Sequence, residues 1–235
     1  MIPPPPIFLE HAAALSIAFE PGDLDRLGVF LDLLLEANTR FNLTTVTDPA
    51  EAWIRHILDS LSLLSVIASA EPKTIMDVGS GGGLPGIPLA IVLPHVQFTL
   101  LEATGKKATF LQEVVHEMGL TNVQVVNDRA ETVGCDREHY REKYDMVTSR
   151  AVGRLAVLLE LTSPFARAGG HVVAIKGEKA QEEIEEAKGA LHRLHCQVAE
   201  TIRTATNTIV VIEKLRPTPK MYPRRPGEPK RVPLQ

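Results

Sequence analysis

The sequence predicts an α/β fold: a mostly parallel seven-stranded sheet closed by a C-terminal antiparallel hairpin and preceded by an N-terminal helical extension. Three observations carry this. Beyond Glu71-Pro72, short apolar runs alternate with helical stretches, the pattern of βαβ units. The first seventy residues show helical periodicity instead. Near the other end, two strand-like runs are separated only by Ala205-Thr206-Asn207, a connection short enough for a hairpin.

In chain order, Phe8 to Phe19 is a first candidate helix. Asp23 is placed to cap a second, whose apolar face is Leu24, Leu27, Phe30, Leu31, Leu34 and Leu35. A third begins at Asp48-Pro49-Ala50-Glu51, where Asp48 caps, Pro49 suits the first turn and Glu51 completes a capping box. Its stripe is Trp53, Ile54, Ile57, Leu58, Leu61 and Leu64. Strands are expected at 74–78, 97–102, 122–127, 144–149 and 170–176, and helices at 84–93, 104–119, 153–166 and 179–193. The runs 196–204 and 208–214 form the hairpin, and Asn207 suits its turn. Residues 217–233, rich in Pro, Arg and Lys, are expected to wrap the surface without regular structure. The domain reading is therefore 1–70 helical extension, 71–216 α/β domain and 217–235 basic tail.

A chain of 235 residues that is 44% hydrophobic and 23% charged can bury one full core. No apolar run approaches a membrane span, and Met1-Ile2-Pro3-Pro4-Pro5-Pro6 does not read as a signal peptide, so a cytoplasmic protein is expected. Cys135 and Cys196 fit no metal spacing and read as two reduced thiols. The net charge of −4 argues against a generic nucleic-acid binder. It hides an asymmetry: from Lys214 onward seven bases face the single acid Glu228, so that end carries +6 and the remainder −10.

The chemistry concentrates where strands end. Asp77-Val78-Gly79-Ser80-Gly81-Gly82-Gly83-Leu84 places a glycine-rich turn between a strand and a helix, where a ligand can approach exposed amides. Gly81, Gly83 and Gly86 satisfy a bare dinucleotide fingerprint, but it begins two residues late; counted from Gly79, the third glycine position is Leu84. A phosphate-binding P-loop is excluded because no Gly-Lys-Ser/Thr follows. The next strand ends in Glu102, near the spacing at which a carboxylate grips ribose hydroxyls. Further strand ends supply Asn127-Asp128-Arg129-Ala130-Glu131, Thr148-Ser149-Arg150 and Ile175-Lys176. In an open parallel sheet these positions rim the ligand crevice, and Arg150 and Lys176 share its edge.

The Gly79-Ser80-Gly81-Gly82-Gly83 spacing with Asp77 before it resembles motif I of the Rossmann-like class I methyltransferases, which implies S-adenosylmethionine as cofactor. More narrowly, Asn42-Leu43-Thr44, His56 to Leu61, Asp77 to Pro88, Arg129-Ala130-Glu131, Ser149 to Val152, Lys176-Gly177 and Tyr222-Pro223-Arg224-Arg225 together resemble the bacterial RsmG family. This family is also called glucose-inhibited division protein B. The resemblance runs from about Asn42 to Leu234; the first forty residues match less clearly. It implies methylation of guanine N7 in small-subunit (16S) ribosomal RNA; the overall acidity suggests that a structured ribosomal particle is the substrate, and a monomer is expected. By the family pattern Gly79 and Leu84 contact the cofactor, Ala130 and Glu131 hold its adenine side, and Arg150 lies near its methionine part.

The absences agree with that chemistry. Attack on a pyrimidine C5 needs a cysteine nucleophile, and neither cysteine is placed for it. The Asn/Asp-Pro-Pro-aromatic loop common in amine methylation has no counterpart at Thr148-Ser149-Arg150-Ala151. Guanine N7 has an in-plane lone pair and no proton, so alignment and desolvation suffice. Arg150 and Lys176 are the expected catalytic pair, orienting the base or the cofactor carboxylate. His56 and Asp59 read equally as a helix-surface pair or as part of the pocket. Arg224, Arg225, Lys230 and Arg231 are candidates for holding RNA phosphates. A small-metabolite methyltransferase, a non-catalytic RNA-binding protein and a nicotinamide oxidoreductase are the rivals.

Overall fold

A computed structural model describes all residues, 1–235. The helices are α1 (Pro6–Ala14), α2 (Asp23–Phe41), α3 (Pro49–Ala52), α4 (Asp59–Leu61), α5 (Leu64–Ala70), α6 (Gly86–Val92), α7 (Gly105–Glu117), α8 (Ala130–Val133), α9 (Leu155–Thr162), α10 (Ala180–Glu186), α11 (Lys188–Arg193) and α12 (Glu228–Arg231). A π-helical segment, Trp53–Leu58, joins α3 to α4. The strands are β1 (Thr74–Val78), β2 (Gln97–Leu101), β3 (Val123–Val126), β4 (Tyr144–Arg150), β5 (Ala166–Lys176), β6 (Cys196–Arg203) and β7 (Thr208–Lys214).

They form one seven-stranded sheet in the order β3-β2-β1-β4-β5-β7-β6. The first five pair in parallel, and β7 inserts antiparallel between β5 and β6. The strand order reverses between β1, which runs outward to β2 and β3, and β4, so the crevice at their carboxyl ends is the topological switch point.

Strand alternation divides the core into two layers. Ile75, Phe98, Leu100, Val173, Ile175, Ile209 and Val211 face the layer formed by the N-terminal helices with α6 and α7. Their neighbours Met76, Leu101, Val172, Ala174, Val210 and Ile212 face the opposite layer, under α9, α10, α11 and the chain end. Period-two side-chain direction makes this division automatic once the register is set. The N-terminal helices therefore share one core with the sheet: Trp53 is fully buried, with its ring centroid 4.6 Å from that of Phe8.

Asp48 caps as expected, its Oδ1 accepting the Glu51 N–H at 2.8 Å. Asp23 does not cap in that way; it is the first residue of α2 and its carboxylate reaches back to the Glu20 N–H at 3.0 Å. The expected 170–176 strand starts earlier, at Ala166, with Gly169 at φ +77° inside it. The expected 179–193 helix is broken at Ala187. The tail is mostly irregular, apart from the single turn of α12. No helix is long and apolar enough to cross a membrane.

Candidate methyl-transfer site

The turn after β1 begins as a continuation of the ladder: the Gly79 and Ser80 N–H groups donate to the Leu101 carbonyl at 2.8 and 3.2 Å. It then folds through left-handed conformations at Gly79 (φ +75°), Gly81 (+56°) and Gly83 (+87°), which side chains rarely adopt. A Cβ on Gly79 would come within 2.6 Å of Val152 Cγ2, whereas one on Gly81 would meet nothing closer than 3.8 Å. Gly79 is thus held against the loop after β4, and Gly81 borders open space. Gly83 and Leu84 donate to the Ser80 carbonyl, and the chain passes into α6 with Leu84 buried.

Asp77 is fully buried beneath this turn. Its Oδ2 accepts the Gly86 N–H and its Oδ1 the Thr148 hydroxyl, both at 3.2 Å, so one carboxylate ties β1 to the start of α6 and to β4. Burial pushes its pKa up to about 6, against the opposing pull of those hydrogen bonds and of Arg150. Glu102, at the end of β2, accepts the Gly81 N–H at 2.9 Å and the Thr104 N–H at 2.7 Å, one on each oxygen. A carboxylate has about four lone-pair sites, so each oxygen can still accept from a ligand hydroxyl.

Past β3, Ala130 opens α8. Glu131 is buried and takes the Arg129 guanidinium at 2.9 Å and the Gly227 N–H at 2.8 Å. Glu131 therefore anchors the chain end at the rim of the crevice. A glycine cradle that opens at Gly81, a carboxylate with acceptor capacity to spare at the second strand and a buried acid below the turn fit S-adenosylmethionine. Asp77, Gly79, Gly81, Gly83, Leu84, Glu102, Ala130 and Glu131 all sit at the carboxyl ends of β1 to β3 or in the turns and helices that follow them.

Beside it, at the carboxyl ends of β4 and β5, lies a cavity of about 680 Å³ walled by the Asn42–Val46 loop, the π-helical segment, α4 and the hairpin turn. Arg150 enters it from β4, donating from Nη1 to the Arg55 carbonyl at 2.9 Å. Burial lowers its pKa, while the carboxylates of Asp59 and Asp77 act in the opposite direction. Lys176, only 8% exposed, also borders the cavity, but Nζ pairs with Glu183 and donates to the Gly153 carbonyl, both at 2.6 Å. Its ammonium thus holds the loop after β4 rather than standing free for a substrate. A larger, mainly aliphatic groove of about 780 Å³ includes Lys73 and Val96, at the amino ends of β1 and β2, the wrong end of a parallel sheet for a ligand of the crevice.

His56 and Asp59 are both buried and both line the polar cavity that Arg150 enters. His56 Nε2 lies 2.8 Å from Thr44 Oγ1 and Nδ1 has no partner. Burial, then the Arg150 charge, depress its pKa to about 4. With a folded pKa below the unfolded value, the stabilisation is complete above about pH 6.5 and is lost as pH falls through 4. A fall in pKa from 6.5 to about 4 corresponds to about 3 kcal/mol. Urea unfolding at pH 7 and pH 4 should therefore show an acid loss that is about 3 kcal/mol smaller in His56→Gln; equal losses in both proteins would refute this account.

The tail residues separate. Arg224 is 18% exposed and bound to Glu160, which is fully buried, through Nε–Oε1 at 2.9 Å and Nη2–Oε2 at 2.6 Å. It is a structural clamp, so the expectation that it holds phosphate loses its free guanidinium. Arg225, Lys230 and Arg231 are exposed. Three further residues belong to the site: Arg55 and Glu183, to which the sequence alone assigns no role, and Asn207, which it marks only as a turn residue. No local signal marks any of them.

The family model for rRNA small subunit methyltransferase G (GidB) matches residues 23–210. A ribosomal RNA small subunit methyltransferase G from Sorangium cellulosum is 44% identical, with 94% of this chain and 92% of that protein covered. One from Desulfitobacterium hafniense is 41% identical, covering 94% and 93% respectively. Among solved structures, the O-methyltransferase TomG from Streptomyces achromogenes, in complex with SAM, superposes with a TM-score of 0.59 at 16% identity, covering 88% of this chain and 96% of that one. The last likeness bears on the fold alone.

Proposed function

The chain belongs to the rRNA small subunit methyltransferase G family and is an S-adenosylmethionine-dependent methyltransferase; from that premise we propose that it methylates N7 of a guanine in small-subunit rRNA, acting as a monomer on a ribosomal particle. The observation that carries this reading is the adjacency of the glycine cradle to a polar cavity entered by Arg150, in which neither the histidine nor the lysine is free to act as a base. His56 is held as a poor base by burial, and the Lys176 ammonium is paired.

The cofactor supplies a methyl group activated by its sulfonium. The chain's own residues do the rest. Glu102, through its remaining acceptor positions, holds the nucleoside end, while Asp77 keeps turn, α6 and β4 in one geometry. Arg150 orients the base, and Lys176 keeps the 151–154 loop closed over the crevice. No proton leaves guanine N7, so positioning and exclusion of water account for the rate.

The test is transfer of labelled methyl from S-adenosylmethionine to small subunits and to naked rRNA from a strain lacking the enzyme, with the product nucleoside identified by mass spectrometry. Label in 7-methylguanosine supports the proposal, and the preferred substrate distinguishes particle from bare RNA. Cofactor binding with no RNA label would point instead to a small metabolite.

Arg225, Lys230 and Arg231 supply the phosphate contacts of the tail in this reading. Replacing all three with Gln should reduce the slope of log affinity against log salt by about 2, at roughly 0.7–0.9 per contact. An unchanged slope would remove the tail from the RNA interface. Arg224→Ala should change stability and leave the slope alone.

A further inference from the structure

The cavity beside the crevice also contains the means to tell guanine from other bases. For methylation at N7, that edge of the ring must face the cofactor side, beneath the 79–83 turn. N1–H and the N2 amino group lie on the opposite side of the base and must face the far wall. That wall is built by α4 and the β6–β7 turn, and it presents Asp59.

Asp59 is 5% exposed and lines the cavity, and its carboxylate is hydrogen-bonded only from the hairpin turn, by the Thr206 hydroxyl and the Asn207 side chain. An ionised carboxylate offers about four acceptor positions, so acceptor capacity remains for donors that enter the cavity. Guanine brings two adjacent donors, N1–H and N2–H, which match the two oxygens of one carboxylate. Adenine offers an acceptor at N1 and a carbon at C2, which the same carboxylate repels. Arg150, which enters the same cavity, supplies a donor for O6, the neighbour of N1–H on that edge. The Watson–Crick edge is the part of an extruded base that a protein pocket reads.

We propose that Asp59 is the guanine-specifying residue: in the cavity between the N-terminal helices and the ends of β4 and β5, its carboxylate accepts from N1–H and N2–H of the target base. This rests on the guanine-N7 reading above. The hydrogen bonds to Asp59 come from the hairpin turn and not from the glycine cradle, so its role is distinct from cofactor binding.

The experiment compares wild type, Asp59→Ala and Asp59→Asn on rRNA substrates carrying guanosine or inosine at the methylated position. Inosine keeps N7, O6 and N1–H but lacks the amino group. Wild type should prefer guanosine by about tenfold or more in kcat/KM, the effect of removing one hydrogen bond to a charged group. In Asp59→Ala, turnover of guanosine RNA should fall about a hundredfold and the guanosine-to-inosine ratio should approach one. Asp59→Asn, which preserves shape, should fall between, and supplies the test if the alanine variant does not fold. Calorimetric affinity for S-adenosylmethionine should stay within about twofold in both variants. A wild-type ratio near one, or a full ratio retained in the variants, overturns the proposal, since a merely structural role slows both substrates equally. No wild-type methylation of guanosine RNA would overturn the N7 reading itself, and this inference with it.

Discussion

Arg150→Ala is expected to lower kcat/KM for methyl transfer to small-subunit RNA by about a hundredfold or more, in a protein that remains folded. The guanidinium stands at the end of β4, and two carboxylates act on it: Asp77 beneath the cradle and Asp59 on the far wall. Without it the buried Asp59 and Asp77 each lose a nearby cation, and the base loses the donor that orients it in this reading. Removing a preorganised donor from a reaction centre commonly accounts for about 2.7–4 kcal/mol, or two to three powers of ten. Arg150→Lys should recover only part of the rate, because an ammonium lacks the planar fork that keeps one N–H on the Arg55 carbonyl while others point into the cavity. Activity is read by label transfer and folding by circular dichroism. Full activity in Arg150→Ala would refute the role.

Glu160→Ala carries the largest expected effect on stability, about 3–5 kcal/mol. Glu160 is fully buried in α9 and accepts from the backbone N–H, Nε and Nη2 of Arg224. Truncating it leaves the guanidinium largely enclosed with only the more distant Glu228 carboxylate, at 3.7 Å, to pair with, a costly way to break a buried ion pair. The consequence spreads along the chain end. The same segment is held by Arg141, whose Nη1 donates to the Tyr222 carbonyl and Nη2 to that of Thr218, both at 2.8 Å, and by Glu131 through the Gly227 N–H. Loosening it therefore exposes the rim of the cofactor crevice. Urea unfolding should show a lower midpoint, and limited proteolysis should remove the tail first. The double variant Glu160→Ala, Arg224→Ala should be less destabilised than Glu160→Ala alone, because no orphaned charge remains. A midpoint equal to wild type would exclude the clamp.

Much of the fold was legible because its signals are local. Each inner strand reads as a short apolar run, and the glycine turn reads as one because left-handed backbone at Gly79 and Gly83 requires a residue without a side chain. Where packing overrides local preference, the reading slipped. Ala166 is expected to end a helix, yet it pairs with Tyr144 of β4 and opens β5 ahead of a register shift that resumes at His171 opposite Met146. The long helix expected at 179–193 divides at Ala187 as its two halves pack on α9 and then β6. Lys176 reads as a catalytic cation until Glu183, from the following helix, is seen to neutralise it.

By itself, the sequence determined the α/β class, the strand and helix succession, the cofactor cradle and the family, all of which follow from periodicity and from motifs only a few residues long. The tertiary structure alone decided which charges are free. Thr206 meets Asp59 across 147 positions, and Arg224 meets Glu160 across 64. A charged residue's type specifies what it can bond, but its partner is set by where distant segments dock. Burial then decides whether that charge clamps the fold, as at Arg224, or stands ready for a ligand, as at Asp59.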